Sequence, residues 1–235
     1  MKTRLLEPED MDDPSLDPAA HRMALQGLAR LNHISFSAAA IWRVLEHEYR
    51  MALSRSATPP SWTVLDLATG GGDLPIYLAS KARSRGYDWH CQGADISPVA
   101  LDHAAEKARL AGVTLDWLML DVTRDSLPTC DWIVSSLFLH HLDDAAANEV
   151  LKRMAVAVRS GFLIDDLERT RLNRGLVWLG AHLLSRSAIV HRDSDRSVRA
   201  AFTLTEIASL SQQAGLEPVR LKSRFPARFQ LLWKR

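Results

Sequence analysis

The stretch Val64-Leu65-Asp66-Leu67-Ala68-Thr69-Gly70-Gly71-Gly72-Asp73 constrains this chain more than any other. The mostly apolar run from Trp62 to Leu67 predicts a buried strand, the glycines predict a tight turn, and Leu74 to Arg85 reads as a helix. A loop without Cβ atoms between a strand end and a helix start lets backbone come close to a ligand. Such loops serve phosphates, dinucleotides and adenosine-bearing sulfonium compounds. A phosphate-cradling loop needs Gly-x-x-x-x-Gly-Lys-Ser/Thr, and no lysine follows here. A dinucleotide loop needs Gly-x-Gly-x-x-Gly, and counting from Gly70 the third glycine falls on Pro75. An acid followed by a Gly-x-Gly pair remains, written Asp66-Leu67-Ala68-Thr69-Gly70-Gly71-Gly72.

Around this stretch the chain alternates strand and helix. Residues up to about Ser15 are acidic and proline-containing and read as a mobile or loosely docked arm. Asp17-Pro18 reads as an N-cap with proline at the first helical position, and Leu25, Leu28 and Leu31 follow at helical spacing. A second helix is expected from Ser37 to about Ser54, with Ile41, Val44 and Leu45 on one face. Thr58-Pro59-Pro60 is the linker that divides an N-terminal region (1–57) from the main domain (58–235).

Beyond the opening motif, Gly86 closes the first crossover helix, and His90 to Asp95 reads as a second strand ending in an acid. Ser97-Pro98 caps a helix running to Gly112, and Leu115 to Asp121 reads as a third strand. Asp131 to Leu137 is a fourth, followed by Phe138-Leu139-His140-His141-Leu142. Asp143 caps a helix expected to end at Gly161, before a fifth strand over Phe162 to Asp166. This rhythm predicts an α/β, Rossmann-like doubly wound sheet, mostly parallel, with helices on both faces. Between about 169 and 202 the rhythm breaks into a helix (Leu172 to Leu184, containing Trp178) and a polar, arginine-rich loop around His191-Arg192-Asp193. A further helix begins at Thr203-Leu204-Thr205-Glu206 and closes at Gly215, and Val219–Lys222 with Phe229–Trp233 reads as an antiparallel pair.

Composition narrows the function. A formal charge of +1 over 235 residues argues against a dedicated nucleic-acid surface. Cys91 and Cys130 read as free thiols in a reducing compartment, not as a disulfide or zinc site. The N-terminus shows no signal-like apolar core, and no apolar run reaches spanning length, so a soluble cytoplasmic protein without membrane insertion is expected. In open α/β sheets ligands bind beyond the carboxyl ends of the strands. The polar residues expected there are Asp66, Asp95, Asp121, His140, His141, Asp165 and Asp166. Each alone is also an ordinary turn acid or helix cap; their order and spacing carry the signal.

The acid-(x)3-Gly-x-Gly segment resembles the first motif of the class I methyltransferases that use S-adenosylmethionine, with Ala68 where that family has its first glycine. The resemblance implies that Asp66, Ala68, Thr69, Gly70, Gly72 and Asp73 surround the cofactor's methionine end. It implies that Asp95 holds the ribose hydroxyls with Ile96 against the adenine, and that Asp121 meets the adenine amino group with Val122 beside the ring. Ser136 or the Leu137 backbone would face the sulfonium, and S-adenosylhomocysteine would be the product. A base helps a phenolic acceptor, and histidine suits the task by its pKa. By resemblance His141 is the expected base, oriented by Asp166, with His140 lesser. Trp178, Arg192 and Arg196 are expected in a substrate-closing cap. No metal is expected.

The His-His-Leu segment and the Met11-Asp12-Asp13-Pro14 arm resemble small-molecule methyltransferases of aromatic polyketide or quinone pathways, hence of secondary metabolism. O-methylation of a phenolic or polyketide-like molecule is the expected activity. C-methylation of a quinol-type ring and a catalytically inactive cofactor-binding partner are the alternatives. Monomer and homodimer both remain open. The Asn/Asp-Pro-Pro-Tyr/Phe motif that amino-group nucleic-acid methyltransferases carry after the fourth strand is absent, Ser135-Ser136-Leu137-Phe138 standing there.

Overall fold

The computed structural model describes residues 3–13 and 15–235. Met1, Lys2 and Pro14, the last of these belonging to the arm motif, lie outside the described residues. Seven strands form one sheet: β1 (Trp62–Leu67), β2 (Trp89–Asp95), β3 (Asp116–Met119), β4 (Cys130–Ser136), β5 (Val158–Leu167), β6 (Val219–Arg224) and β7 (Arg228–Lys234). Their order is β3-β2-β1-β4-β5-β7-β6; β1 to β5 pair in parallel, and β7 runs antiparallel to both β5 and β6. This is the Rossmann-like, doubly wound sheet that the rhythm predicts. The switch in strand order between β1 and β4 opens the crevice where such sheets take their ligands.

Successive side chains on β1 face opposite ways, and the core divides accordingly. Leu65 and Leu67 pack with α5 (Asp144–Ala157) and α8 (Leu204–Gln213), while Trp62 and Val64 pack with α2 (Ser37–Leu53) and α3 (Asp73–Arg85). The N-terminal helix α1 (Pro18–Ile34) starts as expected, Asp17 accepting the Ala20 amide at 2.8 Å. The helix α4 (Pro98–Leu110) begins at the Ser97 cap.

Three expectations need correction. Gly161 does not end a helix. The helix stops at Ala157 and β5 begins at once, so Gly161 lies within the strand, where an added Cβ would collide with the Trp233 carbonyl oxygen and stand 3.0 Å from the Trp132 ring. The glycine is there for close approach of backbone and ring, not for a turn. Second, the arginine-rich segment is not a loop. After α6 (Arg171–Leu184) it forms α7 (Ala188–Ala200), with Val190, Ser194 and Val198 buried along one stripe. Two of the thirteen side chains in that helix are valines and most are polar, which is why apolar periodicity was too sparse to announce it.

Third, the arm is docked. Asp193 on α7 accepts the Asp10 and Met11 amides at 2.9 and 3.1 Å, and Asp10 itself is paired with Arg192 and Arg196. Arg199 meets Glu7 at 3.1 Å, and the Arg4 guanidinium stacks 3.6 Å from the Phe202 ring while bonding Asp144 and the Leu142 carbonyl. An acidic strap on a basic helix explains both unexpected features together.

Gly161→Ala is therefore expected to cost about 1–3 kcal/mol by overpacking. At roughly 2–4 °C per kcal/mol for a chain of this size, Tm should fall by several degrees in a thermal melt. Gly175→Ala, on α6 with open space around the new methyl, should instead hold or raise Tm. Equal melting of Gly161→Ala and the parent chain would contradict this packing.

Candidate functional site

The loop after β1 turns through three left-handed residues, Ala68, Gly70 and Gly72, with φ of 54, 52 and 72°. Gly72 has a second reason to be glycine: a Cβ there would meet Ala104 and Trp117 at 2.7 Å. The loop is pinned to β2 by the Thr69 amide on the Ala94 carbonyl and by the Gly70 amide on Asp95 at 2.7 Å. Asp95 also accepts the Ser97 amide, and burial pushes its carboxyl up despite these two donors. Asp66 lies beneath the loop, fully enclosed. Thr69 Oγ1 donates to it at 2.6 Å, and burial raises its pKa to about 8. Leu25 of α1 lies 3.7 Å from where a Gly70 Cβ would stand, so α1 covers this loop.

The other loop residues are placed as follows. Asp73 opens α3 and is paired with Lys107. Ile96 is exposed beside Asp95, and Val122 is buried. Asp121, two residues past β3, accepts from the Thr123 amide and hydroxyl, whose hydrogen bonds hold it below the usual carboxylate range. Ser136 Oγ accepts from Arg228 at 3.3 Å.

Beyond Leu137 a cavity of about 630 Å³ opens between α1, α6, α7 and the turn between β6 and β7. Its walls include Leu28, Leu31, Leu137, Leu167, Val177 and Phe225. The ionisable side chains on its lining are Glu9, His140, His141 and Arg228. Three of the four non-glycine residues with positive φ among the described residues, Phe36, Leu137 and Ala227, line it, and the fourth is Ala68. Strained backbone of this kind gathers where a site is being shaped.

His140 and His141 fall in the short 3-10 turn Leu139–His141. Asp166 is expected from the sequence to orient His141; in the structure it pairs with His140. Asp166 Oδ1 lies 2.7 Å from His140 Nδ1, and its other oxygen accepts the His140 amide at 3.2 Å. Burial alone would raise the Asp166 carboxyl, but the His140 ring and the Leu167 amide outweigh it, and the net shift is downward. The carboxylate is thus the ionised partner that fixes the ring. His140 Nε2 points towards Glu9, at 3.7 Å. Glu9 is the residue that sequence reasoning missed, since an acid in a stretch read as loose carries no signal of its own.

The expected cap residues stand elsewhere. Trp178 is half exposed, stacks on His182 at 4.4 Å, and lies outside the cavity, which its helical neighbours Val177 and Leu179 line instead. Arg192 and Arg196 hold Asp10 and are likewise absent from the lining.

Residues 64–161 match the family model described as a methyltransferase domain. No curated protein matches the chain in sequence. Among solved structures it resembles a family 2 O-methyltransferase from Planctomyces limnophilus in complex with apigenin, at 20% identity and a TM-score of 0.56, covering 85% of this chain and 61% of that one. The chain thus spans less than two thirds of that relative's length. It also resembles magnesium protoporphyrin IX methyltransferase from Synechocystis with bound S-adenosylmethionine (15% identity, TM-score 0.57, 96% and 88% covered). A third is a methyltransferase dependent on the same cofactor from Aquifex aeolicus (18% identity, TM-score 0.59, 94% and 99% covered). The match covers less than half of the chain, and the likeness to these structures shows the Rossmann-like fold that such methyltransferases share.

The raised Asp66 pKa has a measurable consequence. The folded value of about 8 lies above the ordinary 3.8. Between these values the folded chain must keep a proton that the unfolded chain releases, so stability declines as pH rises from about 4 to 8. Asp66→Asn removes that dependence. Thermal melts should show the variant gaining on the parent chain as pH goes from 5 to 8, and parallel curves would contradict the buried neutral carboxyl.

Proposed function

We propose that this chain transfers a methyl group from S-adenosylmethionine to a hydroxyl of a largely apolar small molecule, of aromatic or polyketide-like character, held in the cavity beyond Leu137. The observation that carries the reading is the cavity itself: apolar walls with its histidines and Glu9 gathered at one place, reaching the end of β4 where the loop of β1 also ends. The volume suits a drug-sized ligand.

The residues at the strand ends fit the cofactor. Asp66, a buried carboxyl, gains from a cation and would take the methionine ammonium. The left-handed turns of Ala68, Gly70 and Gly72, with Thr69 between them, keep backbone rather than side chains towards that end. Asp95 would hold the ribose hydroxyls, Ile96 and Val122 would flank the adenine, and Asp121 would meet its amino group. Asp73 would complete the loop, and Ser136 would stand near the sulfur. Bound there, the cofactor supplies a methyl group on a positively charged sulfur that leaves as a neutral thioether.

The chain's own work lies in orientation and in the proton. The acceptor hydroxyl lies at the polar end, where its O–H proton is drawn towards His140 Nε2. Asp166 holds the opposite ring nitrogen, fixing the tautomer and the orientation of the ring. The apolar walls keep water from the acceptor oxygen.

His140→Ala is expected to reduce single-turnover methylation of a phenol by about 10²–10⁴-fold while S-adenosylhomocysteine binding persists. Asp166→Asn should cost part of that factor, and the double variant little more, since the two act as one unit. The loss should shrink as pH nears the acceptor's own pKa, where the hydroxyl ionises unaided. A folded His140→Ala variant with the parent rate at neutral pH would remove the histidine from the reaction.

A further inference from the structure

We propose that Glu9, His140 and His141 bind one first-row divalent cation at the polar end of the cavity, with its remaining coordination positions facing the acceptor. The inference rests on the reading above and changes one part of it: with Nε2 of His140 given to the cation, the cation would draw the acceptor oxygen into place and acidify its hydroxyl, whose proton is released to bulk solvent as the acceptor binds rather than taken by the ring.

The donor set is the first argument. Two imidazoles and a carboxylate are ligands for zinc, iron, cobalt or nickel rather than for magnesium or calcium, which favour oxygen. One ligand atom from each of the three residues lies within 4.8 Å of the others. His140 Nε2 and Glu9 Oε1 are 3.7 Å apart, too far for a direct hydrogen bond. Two ligands at about 2.0–2.2 Å from one ion stand roughly 3–3.5 Å apart, so a shift of a few tenths of an ångström closes the pair on a cation.

The surroundings are the second argument. Metal-bound histidines typically give their other ring nitrogen to a carboxylate, which fixes the tautomer and raises ligand basicity. Asp166 stands in that position towards His140 Nδ1, at 2.7 Å. Glu9 is steadied in turn by Ser197, whose hydroxyl donates to Oε1 at 2.5 Å. Neighbouring side chains on a 3-10 turn, at three residues per turn, normally diverge by about 120°. Here the two histidine rings lie alongside each other, centroids 4.3 Å apart and 32° between planes. Two carboxylates, Glu9 and Asp166, flank His140, while the nearby Arg228 is engaged by Asp165. Added positive charge is welcome at this point of the cavity.

The test uses the whole chain, freed of metal with a chelator, and titrates CoCl2 by visible absorption and ZnCl2 by calorimetry. One ion per chain is expected, with magnesium in excess failing to compete. Glu9→Gln and His141→Ala should each weaken binding at least tenfold, and Asp166→Asn about 10–100-fold. Retained S-adenosylhomocysteine binding shows that each variant is folded. Absence of binding, or weak binding that survives both Glu9→Gln and His141→Ala as scattered surface histidines would give, overturns the site. If no ion binds yet His140→Ala still loses turnover, the proton goes to His140 alone and only the cation fails.

Discussion

Two adjacent buried carboxylates, Asp165 and Asp166 at the end of β5, organise the functional end of this molecule. An ionised carboxylate cannot be left unpaired in the interior, and neighbours on a strand face opposite ways. Each therefore needs partners of its own on its own side of the sheet. Asp165 receives Arg224 through two contacts of 2.8 Å and Arg228 at 3.2 Å. Arg224 also reaches the Ser35 carbonyl and the Ser37 hydroxyl, which ties the turn between α1 and α2 to the sheet. Asp166 receives the ring and amide of His140 on the other side. The cavity lies between the structures these two acids fix: Phe36 on one wall, the turn at Ala227 on another, and His140 at the polar end.

The strap of residues 3–13 completes that end. Its ion pairs with α7 are mostly surface pairs, individually worth about 0–1 kcal/mol, but they act together with the buried Asp193 and with Arg4 over Phe202. Their shared result is the position of Glu9, which would otherwise not face His140. A role in chemistry for the arm thus rests on electrostatics elsewhere along it.

The sheet was legible because its signals are local. Apolar runs, the Asp17, Ser97 and Asp143 caps, and the glycines after α3 and α4 all act within a few residues. The placing of Asp95, Asp165 and Asp166 at the ends of their strands was legible for the same reason. What escaped depended on partners far along the chain. Gly161 looks like a helix stop until Trp132 and Trp233 close on it. α7 looks like a loop until the strap covers its charges. Choosing between His140 and His141 requires knowing which way a three-residue turn faces, and no spacing in the sequence encodes that. Arg192 and Arg196 looked like substrate ligands because the acid that claims them, Asp10, lies more than 180 residues earlier.

If the proposed function is right, the cofactor loop and the apolar cavity are one continuous site that meets at Leu137. A crystal structure of the chain with S-adenosylhomocysteine tests it most directly. The adenosine is expected between Asp95 and Asp121, the amino acid end over Asp66, and the thioether sulfur facing the cavity past Leu137. An adenosine bound elsewhere, or a sulfur walled off from His140 and its cavity, would contradict it.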